Sequence, residues 1–458
     1  MSTRTSNPAA QPQAALHTAP LRHPDPRDPD LMARRAWWLL GLNLLVPGSA
    51  QLLAGSRRWG RFAVGATFTL WAVALVALAL LLLWRPAALT LATNPVVLWI
   101  AQLGLLFYAV LWLLTTVNAF TLVRLVKTRP SARTPIAAFV ALSIVLATGS
   151  AGYAAYLTGV GRDALGGVFA GGGIEQPIDG RYTILLLGGD AGDDRIGLRP
   201  DSMTLLSIDA SSGAVSMIGI PRNLYNAPFV EGSPLWQAWP DGFDCGDECL
   251  LAYLYPWAEE HPELYPDAER EGSTAAIEAM KDAVGGVTGL TVQYSVLIDM
   301  AGFEDVIDAL GGVVVTVDEP VKLGINGGPV VGEIAAGEQR MSGFTALWYA
   351  RSRYDLTDFD RMQHQRDIQE AMLRQLDPAT VITRFEAIAD ASSELARTDI
   401  PQSMLGVLGD LAVQSREHEI LRLELVPPTV DNVAPDFASI HELVLEAVAP
   451  RPTPTPEP

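Results

Sequence analysis

Residues 347–366 read LWYARSRYDLTDFDRMQHQR and hold Arg351, Arg353, Arg361 and Arg366 within sixteen positions, interleaved with Asp355, Asp358 and Asp360. Arginine suits phosphate oxygens, being always charged, planar and able to bind bidentately. Two chemistries are therefore open: anion binding, or a salt-bridged pair of surface helices. SGFTALWYA reads as one helix. The run after Phe359 reads as a second, with Arg361, Gln365, Ile368 and Met372 along one face. That face begins polar and turns apolar, so one helix end could hold an anion while the other packs in a core.

Other residues able to do chemistry lie upstream. Asp190 follows the apolar strand TILLLG in LLLGGDAG, RPDSM supplies Arg199 and Asp201, and IPRN places Arg222 at the end of a hairpin strand. Alone, an Asp after a strand is more often a turn former, and an Arg at a strand end is usually solvated. Cys245 and Cys249 in DCGDEC are not spaced as CxxC, and no second Cys/His cluster lies nearby. A short-loop disulfide is the expected state if this part lies outside the cell.

Taken in order, these pieces resemble the LytR–CpsA–Psr (LCP) family of membrane-anchored phosphotransferases. YARSR, an Asp three residues before an Arg, and a Gln four residues after it look like the family's C-terminal motif. GFEDVIDALGGVVV and GEQRMSGFTALWYARSR look like further family blocks, and the likeness covers about residues 181–376. It implies transfer of a glycopolymer, through one phosphate, from a polyprenyl-pyrophosphate carrier to a hydroxyl of peptidoglycan. It implies Mg²⁺ (or Mn²⁺) at Asp190 and Asp201. Pyrophosphate would be bound by Arg222, Arg351 and Arg353, with Asp358, Arg361 and Gln365 as the remaining polar site and Arg199 on the substrate. Such chemistry needs charge neutralisation at the transferring phosphoryl, which arginine and a divalent ion supply. Three departures stand out. Asn223 follows the Pro-Arg pair where the family usually has Asp, RPDS replaces RSDT, and GDDRIGL adds Asp193, Asp194 and Arg195 as rival ligands. His364 reads as solvent-facing, not a general base.

The elements that must position these residues follow from composition. Of 458 residues, 49% are hydrophobic and mean hydropathy is +0.22, which points to membrane spans. Residues 1–160 carry 13 Lys and Arg against 3 Asp and Glu, and the remainder carries 19 against 48. No basic face tracks phosphates over a long stretch, which argues against a nucleic-acid partner. Residues 1–33 read as a disordered cytoplasmic tail and 34–157 as a membrane region. Apolar runs at about 62–84, 96–123 and 135–157 are each long enough to span a bilayer. A shorter run, 36–54, is broken by Pro47 and Gly48 and flanked by arginines at both ends, which reads as a re-entrant hairpin. Arg124, Lys127, Arg129 and Arg133 fill the second inter-span loop. The expected topology is a multi-pass protein of the cell membrane whose domain after the third span is extracytoplasmic. No ionisable residue interrupts the three long runs, which argues against a transport path.

Residues 158–180 read as a Gly-rich linker, 181–380 as the catalytic domain, 381–448 as an extension packed on it and 449–458 as a Pro-rich tail. Strands and helices alternate without a regular βαβ repeat, so the expected class is α/β, a mixed central sheet flanked by helices. Ser273 is expected to cap a helix ended by Gly285 and Gly286. The faces Ile277, Met280, Val284 and Phe303, Val306, Ile307, Leu310 suit a core, or a lipid channel as the resemblance would allow. Two rival functions remain at this level: a silent binder of lipid-linked precursors, or a polyprenyl-pyrophosphate hydrolase.

Overall fold

The computed structural model describes residues 20–169, 173–190, 198–246, 249–375 and 396–450. The chain divides into two compact units, residues 1–84 with 96–159 and residues 85–95 with 160–458.

In the first unit, α1 (Pro29–Leu45) starts where the Asp28 side chain accepts from Asp30 N and Leu31 N, so residues 29–33 are helix and not tail. The chain breaks at Pro47 and Gly48 before α2 (Ser49–Ala54). Gly48 has φ +96°, and a Cβ on it would lie 2.5 Å from Ala63 Cβ on α3 (Arg57–Leu83). Glycine is required there on both counts. The next element is α4 (Arg85–Thr93), which belongs to the second unit. Three polar side chains in and just before the 36–54 region bond to α5 (Pro95–Val123). Arg35 Nη1 donates to Leu122 O at 2.8 Å, Asn43 Nδ2 to Thr116 Oγ1 at 3.2 Å, and Gln51 Nε2 to Thr115 O at 2.7 Å. Left unpaired in apolar surroundings, such groups would cost several kcal/mol.

Among the described residues, three helical stretches are long and apolar enough to cross a membrane: Arg57–Leu83, Pro95–Lys127 and Pro130–Gly166. The third joins α6 (Pro130–Ser143) to α7 (Gly149–Val168) through one π turn. Residues 158–168, expected as linker, are therefore helical. One of their glycines has a packing use: a Cβ at Gly159 would meet Gln102 Nε2 at 2.5 Å.

The second unit is built on a mixed six-stranded sheet. Its strands are β1 (Arg181–Asp190), β2 (Arg199–Asp209), β3 (Val215–Ile220) and β4 (Tyr294–Asp299), with two added after residue 395. Two small ladders stand apart: β5 (Val313–Val317) with β8 (Gly337–Met341), and β6 (Val321–Leu323) with β7 (Gly332–Ile334). The late strands are β9 (Ala396–Thr398) and β10 (Leu421–Glu424), and the sheet order is β10-β3-β2-β1-β4-β9. β1 is parallel to β4 and β3 to β10, while the other pairs are antiparallel. The C-terminal segment thus supplies both edge strands and is part of the sheet, not an extension laid on it.

Alternation along the strands sends side chains to two faces. One face packs Leu185, Leu187, Leu205 and Ile218 against α8 (Leu254–Glu259) and α9 (Ala275–Thr288). Thr274, not Ser273, caps α9 by accepting from Ile277 N at 3.2 Å. The helix runs through Gly285 and Gly286 to a left-handed Gly289. Those glycines admit the neighbouring chain: a Cβ at Gly286 would sit 2.3 Å from Pro228 O. Ile277, Met280 and Val284 are core. On α10 (Met300–Leu310) Ile307 and Leu310 are buried, whereas Phe303 lines a pocket. The opposite sheet face carries α12 (Asp358–Gln375) and α13 (Leu405–Gln414), α11 (Gly343–Arg351) packs on α10, α12 and the two small ladders, and α14 (Phe437–Val448) packs beside α9.

Candidate active site

The site begins at an irregularity in the sheet. β1 and β2 pair Gly188 with Ser202 and then Gly189 with Pro200, so Asp201 is left without a register partner. Such a bulge bends the strand and re-aims a side chain. Asp201 Oδ1 accepts from Arg222 Nη1, with Arg222 just beyond β3. Burial alone would lower the Arg222 pKa, but the charges of Asp201 and Asp358 raise it above the ordinary value. The cation is secured.

The arginine stretch supplies the rest. Ser342 caps α11 by accepting from Thr345 N. The helix ends at Arg351 because the buried Ser352 bonds the β6–β7 ladder, donating Oγ to Lys322 O at 2.5 Å and Gly324 O at 3.0 Å. The chain is pinned between Arg351 and Arg353. Asp358, opening α12, then gathers three guanidinium groups. Its Oδ1 lies 3.0 Å from Arg353 Nη2 and 3.0 Å from Arg361 Nη2, and its Oδ2 lies 3.6 Å from Arg222 Nε. Arg361 is only 2% exposed and also donates to Asp201 O at 3.3 Å. Burial pushes its guanidinium below the ordinary value, and the Asp358 carboxylate opposes that shift. Gln365 donates to Ala350 O at 3.2 Å, leaving its buried Oε1 without a hydrogen-bond partner.

These groups meet a pocket of about 240 Å³ whose lining includes Asp201, Arg351, Arg361 and Gln365 among its polar groups, with apolar walls from Leu186, Val296, Ile298, Phe303 and Leu373. Cationic groups at a pocket with greasy walls can hold the anionic head of an amphiphile. A mere salt-bridged surface does not explain a buried Arg361 that lines a cavity.

Other expected residues fall differently. Arg199 stacks over Tyr253, 4.8 Å from the ring centroid, outside the pocket lining. Asp190 ends β1 opposite Arg199, but its side chain lies outside the described residues, as do Asp193, Asp194 and Arg195. Among the described residues no group of three or more His, Cys, Asp or Glu gathers as for a metal. A hard cation takes one or two carboxylates and fills its shell with phosphate oxygens and water; of the expected pair, Asp201 is the described residue, and it lines the pocket. Asn223 keeps a buried Oδ1 without a partner.

His364 is not solvent-facing. Its ring stacks on Tyr349 with centroids 4.1 Å apart, its Nδ1 lies 3.2 Å from Tyr349 O, and burial lowers its pKa. Arg366 turns away from the site: it is 1% exposed, donates to Met203 O at 3.0 Å and faces Glu424 at 3.3 Å. Cys245 and Cys249 are bonded to each other. Two residues escaped sequence reasoning. Tyr253, under the Arg199 guanidinium and outside the pocket lining, sits in a Trp- and Tyr-rich stretch that read as irregular. Asp299, which lines the pocket, ends a strand directly before a helix, and that position was a usable signal.

The model of the LytR_cpsA_psr family matches residues 174–434. The polyisoprenyl-teichoic acid–peptidoglycan teichoic acid transferase TagU of Halalkalibacterium halodurans is 28% identical over 222 residues, 48% of this chain and 61% of that protein. The cell wall biosynthesis protein LcpA of Corynebacterium glutamicum is 28% identical over 289 residues, 56% of this chain and 52% of that protein. The chain thus spans between half and two thirds of these relatives' own lengths. A solved LytR-Csp2A-Psr enzyme from Actinomyces oris aligns at 21% identity with a TM-score of 0.41, over 61% of this chain and 96% of that one. With the family match running across the sheet, the bulge and the arginine stretch, the chain belongs to the LytR–CpsA–Psr family.

Proposed function

We propose that this protein is a membrane-anchored phosphotransferase that moves a glycopolymer from a polyprenyl-pyrophosphate carrier to a peptidoglycan hydroxyl. The observation that carries the reading is the meeting of Arg222, Arg353 and Arg361 on Asp358, with Arg361 and Arg351 lining an apolar-walled pocket. A lipid pyrophosphate presents this pairing of charge and grease. The names of the TagU relatives, which describe teichoic acid transfer to peptidoglycan, support the same chemistry.

In this reading Arg351, Arg353 and Arg222 bind the pyrophosphate, and Arg199 contributes at the rim. Asp358 holds the cations at fixed spacing, so little reorganisation is needed as charge moves onto the leaving phosphate. Gln365 offers the second N–H of its amide to a phosphate oxygen. Asp190 and Asp201 would hold Mg²⁺, which would neutralise charge at the transferring phosphoryl. The apolar walls take the first part of the lipid tail and exclude water, which favours transfer over hydrolysis.

The domain is extracytoplasmic and the three long helices cross the membrane. Two observations support that topology. The first inter-span segment, α4, packs on α13 of the globular unit, with Gln402 Nε2 2.6 Å from Thr93 O. The Cys245–Cys249 bond suits an oxidising compartment.

Detergent-solubilised full chain with a lipid-linked glycan tests the function by its products. Polyprenyl monophosphate released in step with glycan fixed to peptidoglycan is expected. Release without acceptor labelling indicates the hydrolase, and tight binding without release indicates the silent binder.

A further inference from the structure

The pocket is lined by two carboxylates among the described residues, Asp201 and Asp299. They differ in what they are bound to. Asp201 accepts from Arg222, and Asp358 nearby is shared by three arginines. A carboxylate whose oxygens are taken up by guanidinium groups has those lone pairs engaged and is not placed to meet an acceptor hydroxyl. His364 is committed to Tyr349 and does not line the pocket.

Asp299 is placed otherwise. It ends β4 in register with Gly189 of β1, at the sheet end that also carries the Asp201 bulge. Its Oδ1 accepts from Gly302 N at 2.7 Å and caps α10. That bond fixes the side chain and leaves the second oxygen outside it. A positioned carboxylate with no arginine partner among the described residues, in the same pocket as the pyrophosphate arginines, is suited to take a proton.

We propose that Asp299 is the general base for the acceptor hydroxyl, an inference that rests on the phosphotransfer reading above. In the step, the acceptor oxygen forms a bond to the phosphorus that carries the glycan, and its proton passes to Asp299. The bond from that phosphorus to the bridging oxygen breaks. Its electron pair leaves with the polyprenyl monophosphate, which the arginines hold.

The residue is also a helix cap, and the two roles make opposite predictions. Asn and Ser cap helices about as well as Asp, but neither can accept the proton. Glu keeps the carboxylate on a longer arm and is a poorer cap. Asp299→Asn, Asp299→Ser and Asp299→Glu are compared in full-chain protein for melting temperature, lipid-donor affinity and kcat with peptidoglycan. As general base, Asn and Ser variants keep melting temperature and donor affinity while kcat falls roughly 10²–10⁴-fold. The Glu variant then keeps more activity than either. Near-wild-type kcat in the Asn and Ser variants, with Glu the impaired one, would overturn the inference and leave the phosphotransfer reading standing. No transfer by the wild type would overturn both.

Discussion

Asp358 keeps three guanidinium groups together that would otherwise repel one another. Asp358→Ala should therefore do two things at once. Buried Arg361 loses its carboxylate partner, at a cost of about 2 kcal/mol in stability. The arginine spacing also relaxes, so turnover should fall by roughly 10²-fold. Thermal melts beside a transfer assay measure both, and an unchanged rate with lowered stability would make Asp358 purely structural. Asp209 gives a prediction in pH. Burial alone would raise its carboxyl, but hydrogen bonds from Ser211 and Ser212 hold it down to about 2, against 3.8. A depressed folded value means the stabilisation is present above the unfolded value and lost as pH falls from about 4 to about 2. It amounts to about 2 kcal/mol. The melting gap between wild type and Asp209→Asn should narrow across that window, and a gap that stays constant would contradict it. The site was legible at this scale wherever a partner lay close in sequence, as Arg353 and Arg361 do to Asp358. Arg366 with Glu424, and His364 on Tyr349, were not legible, because each partner comes from a separate element that only folding brings near.

At the scale of elements, periodicity located α12 and its face, while glycine misled. Gly285 and Gly286 read as a helix end, yet α9 continues through them because Pro228 and Val230 pass close by. Gly286→Ala should cost roughly 1–3 kcal/mol by overpacking against Pro228 O, despite alanine's better helix propensity. Gly166→Ala, where nothing lies within 4 Å, should cost nothing and serves as the control. Equal melting temperatures for the two variants would refute the close-approach account. The same limit explains the sheet edges. β9 and β10 are three and four residues long, too short to carry a period, so their place beside β4 and β3 could not be read from sequence.

At the scale of the molecule, three apolar helices precede a domain rich in acidic residues. The proposed topology puts position 23 inside the cell and positions 90 and 163 outside. With both native cysteines bonded, single His23→Cys, Thr90→Cys and Asp163→Cys variants can be labelled from outside intact cells. Only the last two should react, and labelling at position 23 would invert the scheme. The central claim is that the arginines do chemistry rather than hold a surface together. Arg351 separates these uses, since it is exposed and lines the pocket, and its replacement by Ala favours the helix. The direct measurement is transfer of a lipid-linked glycan to peptidoglycan by purified Arg351→Ala and Arg351→Lys variants, with melting temperature alongside. The account predicts an unchanged melt, a loss of roughly 10²–10³-fold for Ala and incomplete recovery with Lys, which lacks the planar fork. Near-wild-type turnover by Arg351→Ala would contradict it.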